Sequence, residues 1–266
     1  MNIRPGIELA NLTDVGCERA DNEDNYCYAE PESDAELEKR GRLVVVADGM
    51  GGQEGGQVAS RLAVDTVREV FLYGEDSDPA AALMSAYQSA HAAIQEFARE
   101  HPELTGMGTT CTSAVLQDGR MTYGHVGDSR LYLMRNGEIT RVTRDQSYVQ
   151  QMVESGVISA EEAKTHPSRN ILTSALGSES TVQADFAEAP IPLQESDILL
   201  LCTDGLHGLV SDEEMLAVSS QSAPREACKK LVEMAKERGG YDNITVQIVR
   251  IDGASASSHE SAGAGS

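Results

Sequence analysis

The stretch TTCTSAVLQDGRMTYGHVGDSRLYLMRNGEITRVT, residues Thr109–Thr143, decides the fold. It holds four strand-like runs: Thr109–Gln117, Met121–Val126, Arg130–Arg135 and Glu138–Thr143. Asp118-Gly119 separates the first two runs and Asn136-Gly137 the last two. A two-residue hairpin turn needs positive φ at its central positions, which Asn, Asp and Gly tolerate best. Both dipeptides therefore predict tight hairpins, and the block reads as an antiparallel meander.

Upstream, strand-like runs lie near 6–13, 24–30 and 42–47. A helical pattern follows over about 56–72, where Val58, Leu62, Val67, Val70 and Phe71 recur at near-helical spacing. Asp78-Pro79 reads as an N-cap followed by a first-turn proline. It opens a second helix to about residue 100, with Pro102 just beyond.

Downstream, residues 145–168 break the strand pattern and are expected to form a small flap. They hold a short helix near Tyr148–Glu154 and another after Ser159, whose capping box Glu162 completes. Strands return near 182–187 and 197–203. Ser211 and Glu214 cap a short helix, a longer one spans about 224–238 and closes on Gly239-Gly240, and a last strand covers 244–251.

Strands with two long consecutive helices between them do not make a βαβ alternation. They predict an α+β fold: a central antiparallel β-sandwich with helices on both faces, four layers αββα. Neither a repeat nor a linker divides residues 1–252, which read as one domain. Gly253–Ser266 is Gly/Ala/Ser-rich and is expected to be disordered.

With 266 residues and 40% hydrophobic content, the chain can bury one sizeable core. Aromatics are only 4% and Trp is absent, so Val, Leu, Ile, Ala and Met must build it. No apolar run reaches the roughly 18 residues of a membrane helix. Met1–Glu8 lacks the apolar stretch of a secretion signal. A cytoplasmic protein without membrane insertion is expected. Five cysteines (Cys17, Cys27, Cys111, Cys202, Cys228) contain no C-x-x-C pair and read as reduced, mostly buried thiols. The net charge of -22 argues against nucleic-acid binding, which needs a basic surface, and suits cationic ligands.

Four aspartates sit at the mouths of apolar runs. Asp24 opens one, Asp48 and Asp204 each end one before a glycine, and Asp242 precedes Asn243–Val249. Aspartate is depleted within strands. An Asp-Gly at a strand end is usually a turn, but four such positions together suggest carboxylates held around hard cations. No P-loop, H-E-x-x-H, EF-hand, G-x-S-x-G or kinase motif is present. Carboxylate, carbonyl and water ligation suits Mg²⁺ or Mn²⁺, and a pair of such ions can drive hydrolysis of a phosphate ester. Arg19 has two readings: bidentate phosphate binding, or a surface pair with a nearby acid.

Seven segments in order carry a family resemblance. Arg19-x-x-Asn22-Glu23-Asp24 and Val46–Gly52 come first, then Gly108-Thr109-Thr110 and Gly124–Arg130. Leu172–Gly177, Leu201–Leu206 and Asp242–Thr245 follow. Spanning residues 10–251, they resemble the metal-dependent type 2C serine/threonine phosphatases, in their compact bacterial branch.

The resemblance implies hydrolysis of phosphoserine and phosphothreonine in proteins. It implies that Asp48 bridges two Mn²⁺ or Mg²⁺ ions, Asp204 and Asp242 bind the first, and the Gly49 carbonyl binds the second. Glu23 and Asp24 would hold metal-bound waters or act from behind the direct ligands, with Asp24 counted among the metal residues, and Arg19 would hold the phosphate. Asp128 would join Asp204 at a weaker third ion. Phosphorylated proteins, a serine/threonine kinase and its substrates are the implied partners, with the chain a monomer.

Two motifs depart from the family. Met50 and Gln53 stand where many relatives carry a loop histidine, and Asp145-Gln146-Ser147 replaces Asp-His-Ser. His125 and His207 are expected to be structural, Gly108, Thr109 and Thr110 to be packing residues, and His166 a surface residue. The alternatives are a binding module that has lost catalysis and a phosphatase for small esters.

Overall fold

Two runs of uninterrupted apolar residues seed the two sheets. The computed structural model describes residues 3–51, 54–178 and 182–252. In it, β3 (Arg42–Met50) is buried from Leu43 to Ala47, and β11 (Ile198–Cys202) is buried throughout. A strand buried on both faces needs a layer on each side.

One sheet runs β10 (Ile191–Pro192), β6 (Arg120–Val126), β5 (Cys111–Gln117), β3, β2 (Asp24–Ala29). Short β4 (Gly108–Thr109) pairs with β3, and β9 (Asp185–Phe186) with β6. The other runs β1 (Ile7–Asp14), β12 (Ile244–Ile251), β11, β7 (Arg130–Arg135), β8 (Glu138–Arg141). Every pairing is antiparallel.

Alternation along the central strands sorts side chains into three cores. Val44 and Val46 meet Leu199, Leu201 and Val249 between the sheets. Leu43, Val45 and Ala47 turn outward onto α2 (Gly55–Tyr73) and α3 (Pro79–Glu100). Ile198, Leu200 and Cys202 face the opposite way, onto α7 (Asp212–Gln221) and α8 (Pro224–Glu237). Each buried aliphatic side chain contributes about 1.5–3 kcal/mol. The result is the expected four-layer αββα sandwich.

Local signals read from sequence hold at several points. Asp118, Gly119, Asn136 and Gly137 all have positive φ, as the hairpin turns require. The Asp78 side chain caps α3, and both capping boxes, Ser159/Glu162 and Ser211/Glu214, are formed. The flap carries α4 (Tyr148–Glu154) and α5 (Ala160–Lys164). Gly253–Ser266, the expected tail, lies outside the described residues.

Three expectations are corrected, and a helix is added. The meander is split: β5–β6 is a hairpin of one sheet and β7–β8 of the other, with Gly127–Ser129 crossing between them. The strand near 182–187 shrinks to Asp185–Phe186. β3 continues past Asp48 to Met50, because Gly49 and Met50 pair with Thr109 and Gly108. Helix α1 (Asp34–Arg40) was not expected, although Ser33 accepts the Glu36 N–H as its N-cap and acids precede bases along it. Of the thiols, Cys111, Cys202 and Cys228 are buried, whereas Cys17 is exposed.

Candidate metal centre

The acidic residues gather where the two sheets meet at one end of the sandwich. Asp24 starts β2 and is the cross-strand partner of Asp48 on β3. The Asp48 backbone is fastened by two threonines. Its N–H donates to Thr110 Oγ1 at 2.8 Å, and its carbonyl accepts from the Thr110 N–H and Thr109 Oγ1, both at 2.9 Å. Gly49 follows in close contact with its neighbours: its N–H donates to the Glu23 carbonyl, and a Cβ there would lie 2.0 Å from the Gly56 carbonyl oxygen.

Asp204 opens the one-turn helix α6 (Asp204–His207), a helix not expected from the sequence. Asp242 precedes β12. Asn243 binds this end together: its Oδ1 accepts the Glu23 N–H at 2.8 Å, and its Nδ2 donates to the Val15 and Asp21 carbonyls. Asp128 stands in the crossing between the sheets, and its carbonyl accepts from His207 Nε2 at 3.0 Å. Thr110 Oγ1 and Ser129 Oγ lie 2.8 Å apart, joining the Asp48 and Asp128 segments. Arg19 donates to Asp242 Oδ2 at 2.8 Å from a half-exposed position, so it takes the ion pair that was the alternative to phosphate binding.

Crowded carboxylates away from water resist ionisation. Burial pushes Asp24 up to about 7, with Asp204 and Asp242 adding repulsion, while the Thr203 hydrogen bond and the nearby Thr245 hydroxyl pull the other way. Burial also raises Asp48 well above its ordinary value, reinforced by Asp24, Asp204, Asp128 and Asp242. Asp128 is raised by burial and by Asp204. Asp204 rises to about 6 by burial and by Asp242, while a hydrogen bond with the Asp48 carboxyl pulls the other way. Burial raises Glu23. The five aspartates thus share one electrostatic environment.

The donor set suits a divalent cation. Asp24 Oδ2 accepts from Thr203 Oγ1 at 2.9 Å, but Oδ1, also buried, has no partner among the described residues. A buried carboxylate oxygen left bare is costly, and a cation or its bound water would satisfy it. Among the described residues no three Asp, Glu, His or Cys side chains are grouped tightly enough to hold an ion unaided. Mg²⁺-like ions retain several waters and need only one or two carboxylates each, so sparse protein ligation is compatible with them.

All the residues singled out from sequence as ligands lie in this region, as do Glu23 and Arg19. Sequence reasoning missed the supports. Thr203 holds the Asp24 carboxylate and Asn243 the Glu23 backbone, and each lies beside an acid in a quoted motif; His207, expected to be structural, supports the Asp128 carbonyl. Thr109 and Thr110, expected to be packing residues, act through hydrogen bonds to Asp48. His125 is structural as expected, buried between Thr112 Oγ1 and the Arg144 carbonyl. Gln53 lies outside the described residues.

The protein phosphatase 2C family model matches residues 30–243. The chain belongs to the protein phosphatase 2C family. The match begins after Arg19, Glu23 and Asp24, so those three rest on the geometry above. Among relatives of this phosphatase 2C chain is the serine/threonine protein phosphatase PstP of Mycobacterium tuberculosis, 37% identical over 92% of this chain and 45% of PstP. The chain thus spans less than half of that relative. The serine/threonine phosphatase stp of Listeria monocytogenes is 37% identical over 90% of this chain and 94% of its own. The crystal structure of the PstP catalytic domain in complex with two manganese ions superposes with a TM-score of 0.79 at 33% identity, covering 93% of this chain and 99% of that one.

Proposed function

We propose that this chain is a metal-dependent protein phosphatase acting on phosphoserine and phosphothreonine. The observation that carries the reading is the convergence of Asp24, Asp48, Asp128, Asp204 and Asp242 in one environment, with Asp24 Oδ1 bare and Arg19 at the rim. The manganese-bound PstP domain and the phosphatases named above support it.

Asp48, Asp204, Asp242 and the Gly49 carbonyl would hold two Mn²⁺ or Mg²⁺ ions, with Asp24 and Glu23 supporting them and Asp128 and Asp204 taking a weaker third. When bound, the ions neutralise the phosphate dianion and acidify an attacking water. Asp48 would serve both principal sites, and its fastening by Thr109 and Thr110 would then fix the centre of the array. Arg19, half-exposed, can leave one oxygen of Asp242 and grip two phosphate oxygens, orienting phosphorus toward the carboxylates. Met50 has no proton to give the leaving serine or threonine oxygen, so that proton comes from water.

Phosphorylated substrates of a serine/threonine kinase, and the kinase itself, are the proposed partners. Free thiols fit a reducing compartment such as the cytoplasm. Among the described residues no helix is long and apolar enough to cross a membrane.

Release of phosphate from a phosphothreonine peptide tests the reading. We expect turnover with Mn²⁺, none with a chelator, and near-complete loss in Asp48→Asn and Asp204→Asn. Absence of metal-dependent turnover in the wild-type chain would overturn it; binding of Mn²⁺ without hydrolysis would instead favour a non-catalytic module.

A further inference from the structure

We propose that Gln146 is a positioning residue that clips the Gly127–Asp128 crossing to the base of the flap, and so fixes where the Asp128 carboxylate stands. Gln146 uses both ends of its peptide unit and both ends of its side chain. The Gly127 N–H donates to Gln146 Oε1 at 3.0 Å, and the Gln146 N–H donates back to the Gly127 carbonyl at 2.7 Å. Gln146 Nε2 donates to the Gln183 carbonyl at 2.9 Å. The Thr173 N–H donates to the Gln146 carbonyl at 2.8 Å, where the chain returns from the flap. Ser147 and Leu172 form the next bridge outward, and the Tyr148 N–H donates to the Ile171 carbonyl.

Both backbone polar groups of Gly127 are therefore satisfied by one flap residue. Gly127 has little room to adjust: its φ is +101°, and a Cβ there would meet Thr110 Cγ2 at 2.5 Å. The next residue is Asp128, held on its far side by His207 through the carbonyl. Asp128 is thus suspended between the flap base and α6, which carries Asp204. Glutamine fits because one side chain must accept from Gly127 and donate to Gln183. Glutamate cannot donate, and methionine cannot donate and accepts only weakly.

The inference rests on the metal reading only for its consequence: a displaced Asp128 should weaken the ion site it shares with Asp204. The direct readout is hydrogen exchange of the Gly127 amide by NMR in the metal-free protein, with the β12 amide of Ile248 as a folding control. In Gln146→Met the Gly127 amide should exchange about two- to tenfold faster, the span of one ordinary hydrogen bond. In Gln146→Glu, which keeps the acceptor, it should stay slow. Calorimetric titration with Mn²⁺ should show the weakest binding step of Gln146→Met weakened several-fold and the tighter steps unchanged.

Unchanged Gly127 exchange in Gln146→Met overturns the clip. Faster exchange with superimposable Mn²⁺ isotherms overturns its role in placing Asp128. If the wild-type protein takes up no Mn²⁺, the metal reading fails while Gly127 exchange still decides the clip. Should Gln146→Met not fold, Gln146→Asn, one carbon shorter and unable to reach Gly127, is read in the same way.

Discussion

Asp24 and Asp48 stand directly opposite each other across the antiparallel β2–β3 ladder. Like charges at such a cross-strand position repel, and Asp24 is also buried with one oxygen unpartnered. Without cations, the pair weakens the fold it sits in. Asp24→Asn keeps the shape and the Thr203 hydrogen bond while removing one charge. Read above pH 7, where Asp24 is ionised, it should raise the metal-free melting temperature by roughly 2–8 °C, the equivalent of about 1–2 kcal/mol in a domain of this size. Mn²⁺-dependent turnover should fall in the same variant. An unchanged or lower metal-free Tm, read by calorimetry, would remove the repulsion argument.

The raised carboxyls set a pH dependence with a definite sign. Asp24 at about 7 and Asp204 at about 6 lie above their ordinary value of 3.8. The folded state therefore binds protons that the unfolded chain has already released. Their stabilising contribution is complete below the unfolded value and is lost as pH rises through about 6 and then about 7. The metal-free protein should melt at progressively lower temperature as pH increases across that interval. Mn²⁺ requires the ionised forms, so the Tm gain from Mn²⁺ should grow over the same interval. A metal-free Tm that is flat or rises from pH 6 to 8 contradicts the assignment.

Much of this was legible in the chain because local chemistry agreed with the final structure. The Asp118-Gly119 and Asn136-Gly137 turns, the Asp78 cap and the two capping boxes each follow from their own few residues. What failed was non-local. Residues 109–143 alternate in the same way whether they form one meander or two hairpins in different sheets. Only Gly127, with its contact on Thr110, marks the crossing. Asp48 looked like a strand end because Gly49 follows it. Pairing with the distant Gly108 and Thr109 carries the strand onward. The site followed the same division: carboxylates announce themselves by charge beside apolar runs, whereas Asn243 and Thr203 hold them through hydrogen bonds that no spacing reveals.

Gly49 is required by close approach rather than by an unusual φ. An added Cβ would lie 2.0 Å from the Gly56 carbonyl oxygen and 2.7 Å from that of Glu23, both backbone atoms. Gly49→Ala must push α2 away from β3, at a cost expected to exceed about 2 kcal/mol. Gly119→Ala is the comparison: φ is +67° but nothing lies within 4 Å of the new carbon. It should cost only the left-handed strain, about 1–2 kcal/mol, and leave activity intact. Denaturant melts of the two variants check the ordering, and equal losses would refute the close-packing account.

Arg19 separates binding from stability. Its ion pair with Asp242 is half-exposed, and pairs of that kind contribute about 0–1 kcal/mol. Arg19→Ala should therefore melt within about 3 °C of the wild type. If the guanidinium leaves Asp242 to hold phosphate, the same change should lower kcat/KM by about 10²–10³, the usual effect of removing one charged or oriented donor from a reacting centre. Arg19→Lys keeps the charge but not the planar pair of donors, so it should recover only part of the loss. Full recovery by lysine would point to charge alone. A normal kcat/KM in Arg19→Ala would leave the arginine as no more than the Asp242 ion pair seen in the structure.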